Sequence, residues 1–191
     1  MRNFRVTLVA MLLVAAMVAG CGGSEPKAAD VIKIGHAVAL TGDSSMWGQA
    51  EKNALEMEIE KINKAGGVLG KKSQLIAYDT RADATEAVNV TKRLVSQDKV
   101  SAIIGPGQSG VAIAMTSVTE PGKVPFLATT ATNPKVTIDD KTQKVREYAF
   151  RTCFIDPFQG TVAAQFAVKD LKAKTAAVIY DVGSDYSSFL G

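Results

Sequence analysis

The sequence is short of the residues that reactive sites need. Its 191 residues include two cysteines, one histidine and one tryptophan. Cys21 and Cys153 allow a single pairing at most, so a disulfide-rich scaffold is excluded. A catalytic thiol would want a histidine, and the only one, His36, lies in a strand-like apolar run. Cys153 follows Phe150-Arg151-Thr152 in an apolar setting that suits a small buried hydrophobe. Charge of one sign is also scarce: 22 Lys and Arg oppose 19 Asp and Glu, for a net charge of +3, with no basic block. Neither a nucleic-acid partner nor a polybasic membrane patch is implied. The hydrophobic stretch over residues 6–20 is shorter than the roughly 20 residues a membrane-crossing helix requires.

That stretch has another use. Arg2 and Arg5 precede it, and Val18-Ala19-Gly20-Cys21 closes it with small residues and a cysteine. The pattern resembles a bacterial lipoprotein signal. The resemblance implies cleavage before Cys21, which would then carry lipid on its sulfur and on its new amino terminus and hold the protein at the cell membrane. Each buried methylene of such an anchor contributes about 0.8 kcal/mol. With the signal (1–20) gone, the charge falls to +1, because Arg2 and Arg5 leave and no acidic residue goes with them. Residues 21–30, including Gly22-Gly23-Ser24-Glu25-Pro26-Lys27, are expected to be a flexible tether. About 170 residues remain, enough for one sizeable core or one and a fraction domains.

From Val31 the pattern alternates. Residues 31–40 read as a buried strand ended by Thr41-Gly42-Asp43. A helix is expected over 48–65, with Leu55, Ile59 and Ile62 on one face and Gly66-Gly67 as its stop. A strand follows at 74–78. Asp83, with Glu86 three positions on, offers an N-cap to a helix through Val95 whose apolar stripe includes Ala84, Val88, Thr91 and Val95. Strands at 100–104 and 124–128 flank a helix at 109–118. This order predicts an α/β fold with a doubly wound, mostly parallel sheet. Ligands of such sheets bind beyond the carboxyl ends of the strands, which puts residues 41–47, 105–110 and 129–132 on one rim. The chain then restarts with residues 148–154, a helix at about 157–171, a strand at 176–180 and another helix entered at Tyr186. These are expected to open a second α/β unit that the sequence does not complete.

Three constellations on the rim carry chemistry. Gly105-Pro106-Gly107-Gln108-Ser109-Gly110 has the G-x-G-x-x-G spacing of a dinucleotide fingerprint, yet it follows the third strand and no acidic residue stands about 20 positions on. Outward-facing amides and the Ser109 hydroxyl at a helix start suit a carboxylate as well as a phosphate; the alternative is a tight turn with Ser109 capping its helix. Thr129-Thr130-Ala131-Thr132-Asn133-Pro134 offers hydroxyls and amides for a small polar ligand, or is a plain solvated loop. Trp47 either walls an apolar pocket or covers the helix beside it. Gly66 to Ser73 has a superficial likeness to a phosphate-binding loop, but it ends a helix instead of opening one and reads as a C-cap and turn.

Taken together, the segments Ile34-Gly35 to Leu40-Thr41-Gly42, Trp47-Gly48, Ile62 to Gly67, Tyr78-Asp79, Ile103-Ile104-Gly105, Ala131 to Pro134, Phe150-Arg151-Thr152, Phe158-Gln159-Gly160 and Tyr180-Asp181 to Tyr186 resemble one family. It is that of the solute-binding lipoproteins of branched-chain amino acid ABC transporters, the leucine-binding type of periplasmic binding protein. The resemblance implies a type I lobe at 31–152, the start of a second, incomplete α/β lobe at 153–191, and an amino acid bound between lobes for import by a membrane permease. It places the ligand's carboxylate and amino group on Ser109 and Thr132, a backbone contact on Ala131, the side-chain pocket on Trp47 and a second-lobe contact on Tyr186. No cofactor, metal or covalent chemistry is implied, so binding and not catalysis is the expected activity. One lobe offers about half the family's contacts, so the chain as written is expected to bind amino acid weakly or not at all. A ligand-binding sensor domain and a truncated, inactive product are the alternatives.

Overall fold

The computed structural model describes residues 31–190. The expected signal (1–20), the lipid-bearing Cys21 and the tether (21–30) lie outside the described residues. Five strands form one sheet: β1 (Ile32–Val38), β2 (Ser73–Asp79), β3 (Ala102–Ile104), β4 (Phe126–Ala128) and β5 (Ala149–Arg151). Their order is β2-β1-β3-β4-β5, and every pairing is parallel. The helices are α1 (Ser45–Lys64), α2 (Ala84–Arg93), α3 (Ser109–Gly122), α4 (Asp156–Lys169) and α5 (Asp185–Leu190).

Local chemistry sets the element ends. Asp83 caps α2 by accepting the Glu86 amide at 2.7 Å, as its spacing predicts. At the end of α1, the amides of Gly66 and Gly67 turn back to the carbonyls of Asn63 and Ile62. The Asn63 side chain then clasps Ser73 in both directions, at 2.7 and 2.8 Å, and so sets where β2 begins against the helix. Of the expected stripe, Thr91 is buried and Val88 and Val95 are half-buried. Ala87, Val90 and Thr91 face inward, followed by Leu94 in a five-residue π-helical turn, Leu94–Asp98, whereas Ala84 is exposed.

The core lies where α2 and α3 cover the centre of the sheet. Leu94, Ile103, Met115 and Phe126 are all fully buried there, alongside Ala37 and Ala112. Each large side chain contributes about 2 kcal/mol by leaving water. His36 is equally buried on β1. Its Nδ1 lies 2.8 Å from the Ile104 carbonyl oxygen, which can only accept, so Nδ1 carries the proton; Nε2 has no partner. Burial pushes its pKa below the ordinary value, only partly offset by the Ile104 bond. Below about pH 6.5 the unfolded chain takes up a proton that the folded chain refuses, so stability falls with pH, by at most about 1.4 kcal/mol per unit for one group. His36→Gln is expected to flatten that acid limb in urea denaturation at pH 7 and pH 5. An unchanged slope would remove His36 as its source.

Beyond β4 the structure departs from expectation. Residues 148–154 were expected to open a second unit, but β5 pairs with β4 in the same sheet. Glu120 on α3 holds the entry to β5 by accepting the Glu147 and Tyr148 amides. Residues 176–180, expected as a strand, pair with no strand among the described residues, and Ile179 is 97% exposed. A strand needs a neighbour to take its amides and carbonyls, and none of the described strands pairs with this run. In α4 only Asp156 is buried, while Phe158, Val162 and Phe166 are exposed.

Candidate functional site

In a parallel sheet ordered 2-1-3-4-5, the connections leaving β1 and β3 diverge and open a crevice between their carboxyl ends. A cleft of about 950 Å³ lies there, lined by the start of α1, the β3–α3 loop and the segment leading into α5. A shallower hollow of about 490 Å³, bordered by Ile59, Asn63 and Leu75, lies toward the amino ends of the strands, away from this crevice.

The rim is held by a few side chains. Asp79, at the end of β2, accepts the Leu40 amide at 2.8 Å, the Arg81 amide at 2.8 Å and the Thr41 hydroxyl at 2.5 Å. Burial alone would raise its pKa, but the bonds from Thr41, Leu40 and Arg81 outweigh it and hold the carboxyl below the usual range. The turn that carries the chain from β1 to Trp47 is thereby fastened. On the other side, α3 begins after Gln108, whose side chain makes no capping bond. Ser109 therefore does not cap its helix; its Oγ accepts the Asn133 amide at 3.3 Å and joins the β3 and β4 loops. The loop after β4 is not a solvated one either, since Ala131, Thr132 and Asn133 are all buried.

Three of the five expected ligand contacts meet in the cleft. Trp47, Ser109 and Tyr186 line it. Trp47 is 67% exposed, so it covers the start of α1 only loosely. Tyr186 accepts a hydrogen bond from Gln159 Nε2 at 2.8 Å. Ala131 and Thr132 lie behind the lining, where Thr130 stands in their place. The Ala131 carbonyl accepts from Arg151 at 3.1 Å, and the buried Thr132 Oγ1 has no partner.

Glu51 and Asp156 were not singled out in the sequence, and Gly107 and Arg151 only as members of longer segments. Glu51 lines the cleft one turn after Trp47 on α1. Its Oε1 accepts the Thr129 hydroxyl at 2.7 Å, while Oε2 is buried without a partner. Burial pushes this carboxyl above its ordinary pKa, with the Thr129 bond acting against it. Gly107 lets the β3–α3 loop pass close by, because a Cβ there would collide with Thr130 Oγ1 and stand 3.0 Å from Glu51 Oε1. Arg151 gathers the β4 loop by donating to the carbonyls of Ala131, Asn133 and Pro134 and to the Thr137 hydroxyl. Asp156 is 1% exposed, and neither carboxylate oxygen has a hydrogen-bond partner. The i, i+4 spacing of Trp47 and Glu51 was the only signal available for Glu51.

No group of three or more His, Cys, Asp or Glu with metal-binding geometry occurs among the described residues. No helix among them is long and apolar enough to cross a membrane. The cleft has hydroxyls, backbone amides at a helix N-terminus, two aromatic rings and carboxylates. Such a set can hold a small polar molecule with an apolar part.

Comparison with known proteins agrees with this geometry. A family model described as periplasmic binding protein matches residues 31–188. The Leu/Ile/Val-binding protein BraC3 of Rhizobium johnstonii is 33% identical over 184 residues, covering 96% of this chain and 46% of the relative. The crystal structure of a leucine binding protein, LivK, from Thermotoga maritima superposes with a TM-score of 0.75 at 37% identity, covering 83% of this chain and 43% of that one. The branched-chain amino acid transporter substrate binding protein LivJ of Streptococcus pneumoniae, solved with isoleucine, gives a TM-score of 0.76 at 33% identity, with 84% and 44% covered. The chain thus spans about half the length of the relatives it matches. With a parallel-sheet lobe of the type I form and a family model spanning most of its length, the chain belongs to the periplasmic binding protein family.

Proposed function

We propose that this chain supplies the amino-acid-reading lobe of the substrate-binding component of an ABC transporter. Its ligand is a branched-chain or similar amino acid delivered to permease subunits. The observation that carries the reading is the convergence of Trp47, Ser109 and Tyr186 on one cleft at the β1/β3 crevice. The relatives support the ligand class, because BraC3 is named for leucine, isoleucine and valine and the LivJ structure contains isoleucine.

In this reading the ligand carboxylate sits at the N-terminus of α3, where the helix amides and the Ser109 hydroxyl favour an anion. Thr132 assists from the adjoining loop with its unpartnered hydroxyl, and Ala131 with its backbone. The aliphatic side chain packs on Trp47, and Tyr186 closes over it. Residues 31–152 are the first lobe and 153–191 the opening of the second. Lipid on Cys21 keeps the protein at the cell membrane, and the activity is binding without bond-making.

The test is titration of leucine into the 191-residue chain, read from the emission of Trp47, its only tryptophan. A dissociation constant near 1 mM, about 4 kcal/mol, is expected from one lobe. Ser109→Ala is expected to weaken it about tenfold, the loss of one hydrogen bond to a charged group. A response to leucine that Ser109→Ala leaves unchanged would contradict the reading.

A further inference from the structure

The two ends of the sheet carry opposite charge. At the carboxyl ends Glu51, Asp83, Asp181 and Asp185 line the cleft, and no Lys, Arg or His is among the described residues that do. At the amino ends a lysine precedes each of three strands: Lys72 before β2, Lys99 before β3 and Lys123 before β4. All three are exposed, and none makes an ion pair with a described residue. Parallel pairing assembles this face, because it turns the amino ends of the strands the same way. With strands about 5 Å apart in the order β2-β1-β3-β4, the lysines spread over about 15 Å. An apolar tip stands beside them. Val68 and Lys71 exchange backbone hydrogen bonds at 2.8 and 3.0 Å, and between them Leu69 and Gly70 both have positive φ, 53° and 75°. Such a turn favours Asn-Gly, yet its leucine is 92% exposed and the neighbouring Val68 is exposed as well. Neither the backbone nor the core calls for leucine there. The chain also enters the fold at this end, since the Ile32 amide donates to the Lys72 carbonyl at 2.9 Å.

We propose that this end of the lobe docks on an anionic membrane surface, with Val68 and Leu69 entering the interface and Lys72, Lys99 and Lys123 lying on the headgroups. The occupant follows from the two features together. An apolar tip beside spaced cations fits a bilayer, which offers hydrocarbon beneath a negatively charged layer. An approach by the cleft end would bring carboxylates against that layer instead, so the docked lobe holds its cleft open to solution. Lipid on Cys21, proposed above, joins the protein to the membrane at the same end. The docking does not depend on what the cleft binds.

The test uses the 191-residue chain carrying Trp47→Phe and Leu69→Trp, so that its one tryptophan reports on the turn. The vesicles are of phosphatidylcholine alone or mixed with phosphatidylglycerol, with brominated acyl chains as the quencher. Emission from position 69 is expected to shift to the blue and to be quenched on the mixed vesicles but not on phosphatidylcholine, whatever else holds the chain to either. Trp47 in the otherwise unchanged chain stays unquenched on both. Each lysine near such a surface is worth about fivefold, so Lys72→Gln, Lys99→Gln and Lys123→Gln together lower the docking equilibrium about a hundredfold. Val68→Trp, in the same Trp47→Phe background, repeats the measurement without altering the positive-φ position. Three results overturn the proposal: both probes unquenched on mixed vesicles, equal quenching on phosphatidylcholine alone, or the triple lysine variant docking as well as its parent. A blue shift that grows with protein concentration in the absence of vesicles also overturns it, by assigning the face to a second copy of the chain.

Discussion

Gly48→Ala is expected to destabilise the fold by about 3 kcal/mol or more, against the ordinary preference of helices for alanine. Gly48 is the buried residue of α1, at the point where the helix crosses the end of β1. A Cβ there would overlap the Ala39 carbonyl and stand 2.9 Å from Val38 Cγ2. Val38 and Ala39 are themselves buried, so neither can yield without moving the strand. Alanine gains about 1 kcal/mol in a helix interior over glycine, but overpacking against backbone costs about 3 kcal/mol or more. The steric effect wins. Gly160→Ala in α4 is the control: its nearest neighbour would be Leu190 Cδ1 at 3.9 Å, so only the helix preference remains and the change is neutral or stabilising. Urea denaturation of the two variants checks both signs. A Gly48→Ala chain as stable as wild type would mean that α1 does not approach β1 this closely.

Arg151→Ala has the second large effect, because one guanidinium organises the whole loop that carries Ala131 and Thr132. Its Nη1 donates to the carbonyls of Ala131 and Asn133 at 3.1 and 3.0 Å, and its Nη2 to the Pro134 carbonyl and the Thr137 hydroxyl at 3.2 and 2.6 Å. Burial lowers its pKa, with neighbouring Cys153 and Asp156 acting the other way. The side chain remains a cation at any working pH. Truncation removes the donor of the Ala131 carbonyl and of the Thr137 hydroxyl, while the Asn133 and Pro134 carbonyls keep the Val136, Thr137 and Ile138 amides, so at about 1 kcal/mol for each lost bond a loss of about 2 kcal/mol is expected. Arg151→Lys recovers the charge but not the planar fork, so it recovers less than half of that. The readout is denaturation combined with hydrogen exchange at Val136, Thr137 and Ile138, whose amides bond within this loop. Exchange as slow in Arg151→Ala as in wild type would show that the loop holds its shape without the fork.

The parts of the fold that could be read from sequence are those where local chemistry and burial agree. β1, β3 and β4 are apolar runs between turn residues, and they are the centre of the sheet. Asp83 marks the start of α2, and Gly66-Gly67 the end of α1, through bonds to nearby residues. The misreadings come from long-range pairing. Residues 176–180 have the composition of a strand, but composition does not provide the neighbour that a strand requires. Residues 148–154 resemble the start of a new unit until Glu120 and β4 draw them into the existing sheet. In the cleft, Trp47 and Ser109 were legible because they follow strand ends. Arg151 was not, because its acceptors are backbone carbonyls and one hydroxyl of residues 14 to 20 positions earlier. Glu51 was not singled out either, because it resembles the other acidic residues on the face of a charged helix.

The most direct measurement is a ¹H–¹⁵N NMR titration of the 191-residue chain with leucine, with every amide followed to tens of millimolar. The account predicts concerted shifts at Gly107 to Val111, at Ala131 to Asn133 and at the Trp47 indole, described by a single dissociation constant near 1 mM. Shifts that cluster instead on the hollow near Ile59 and Leu75 would contradict the placement of an amino acid at the β1/β3 crevice.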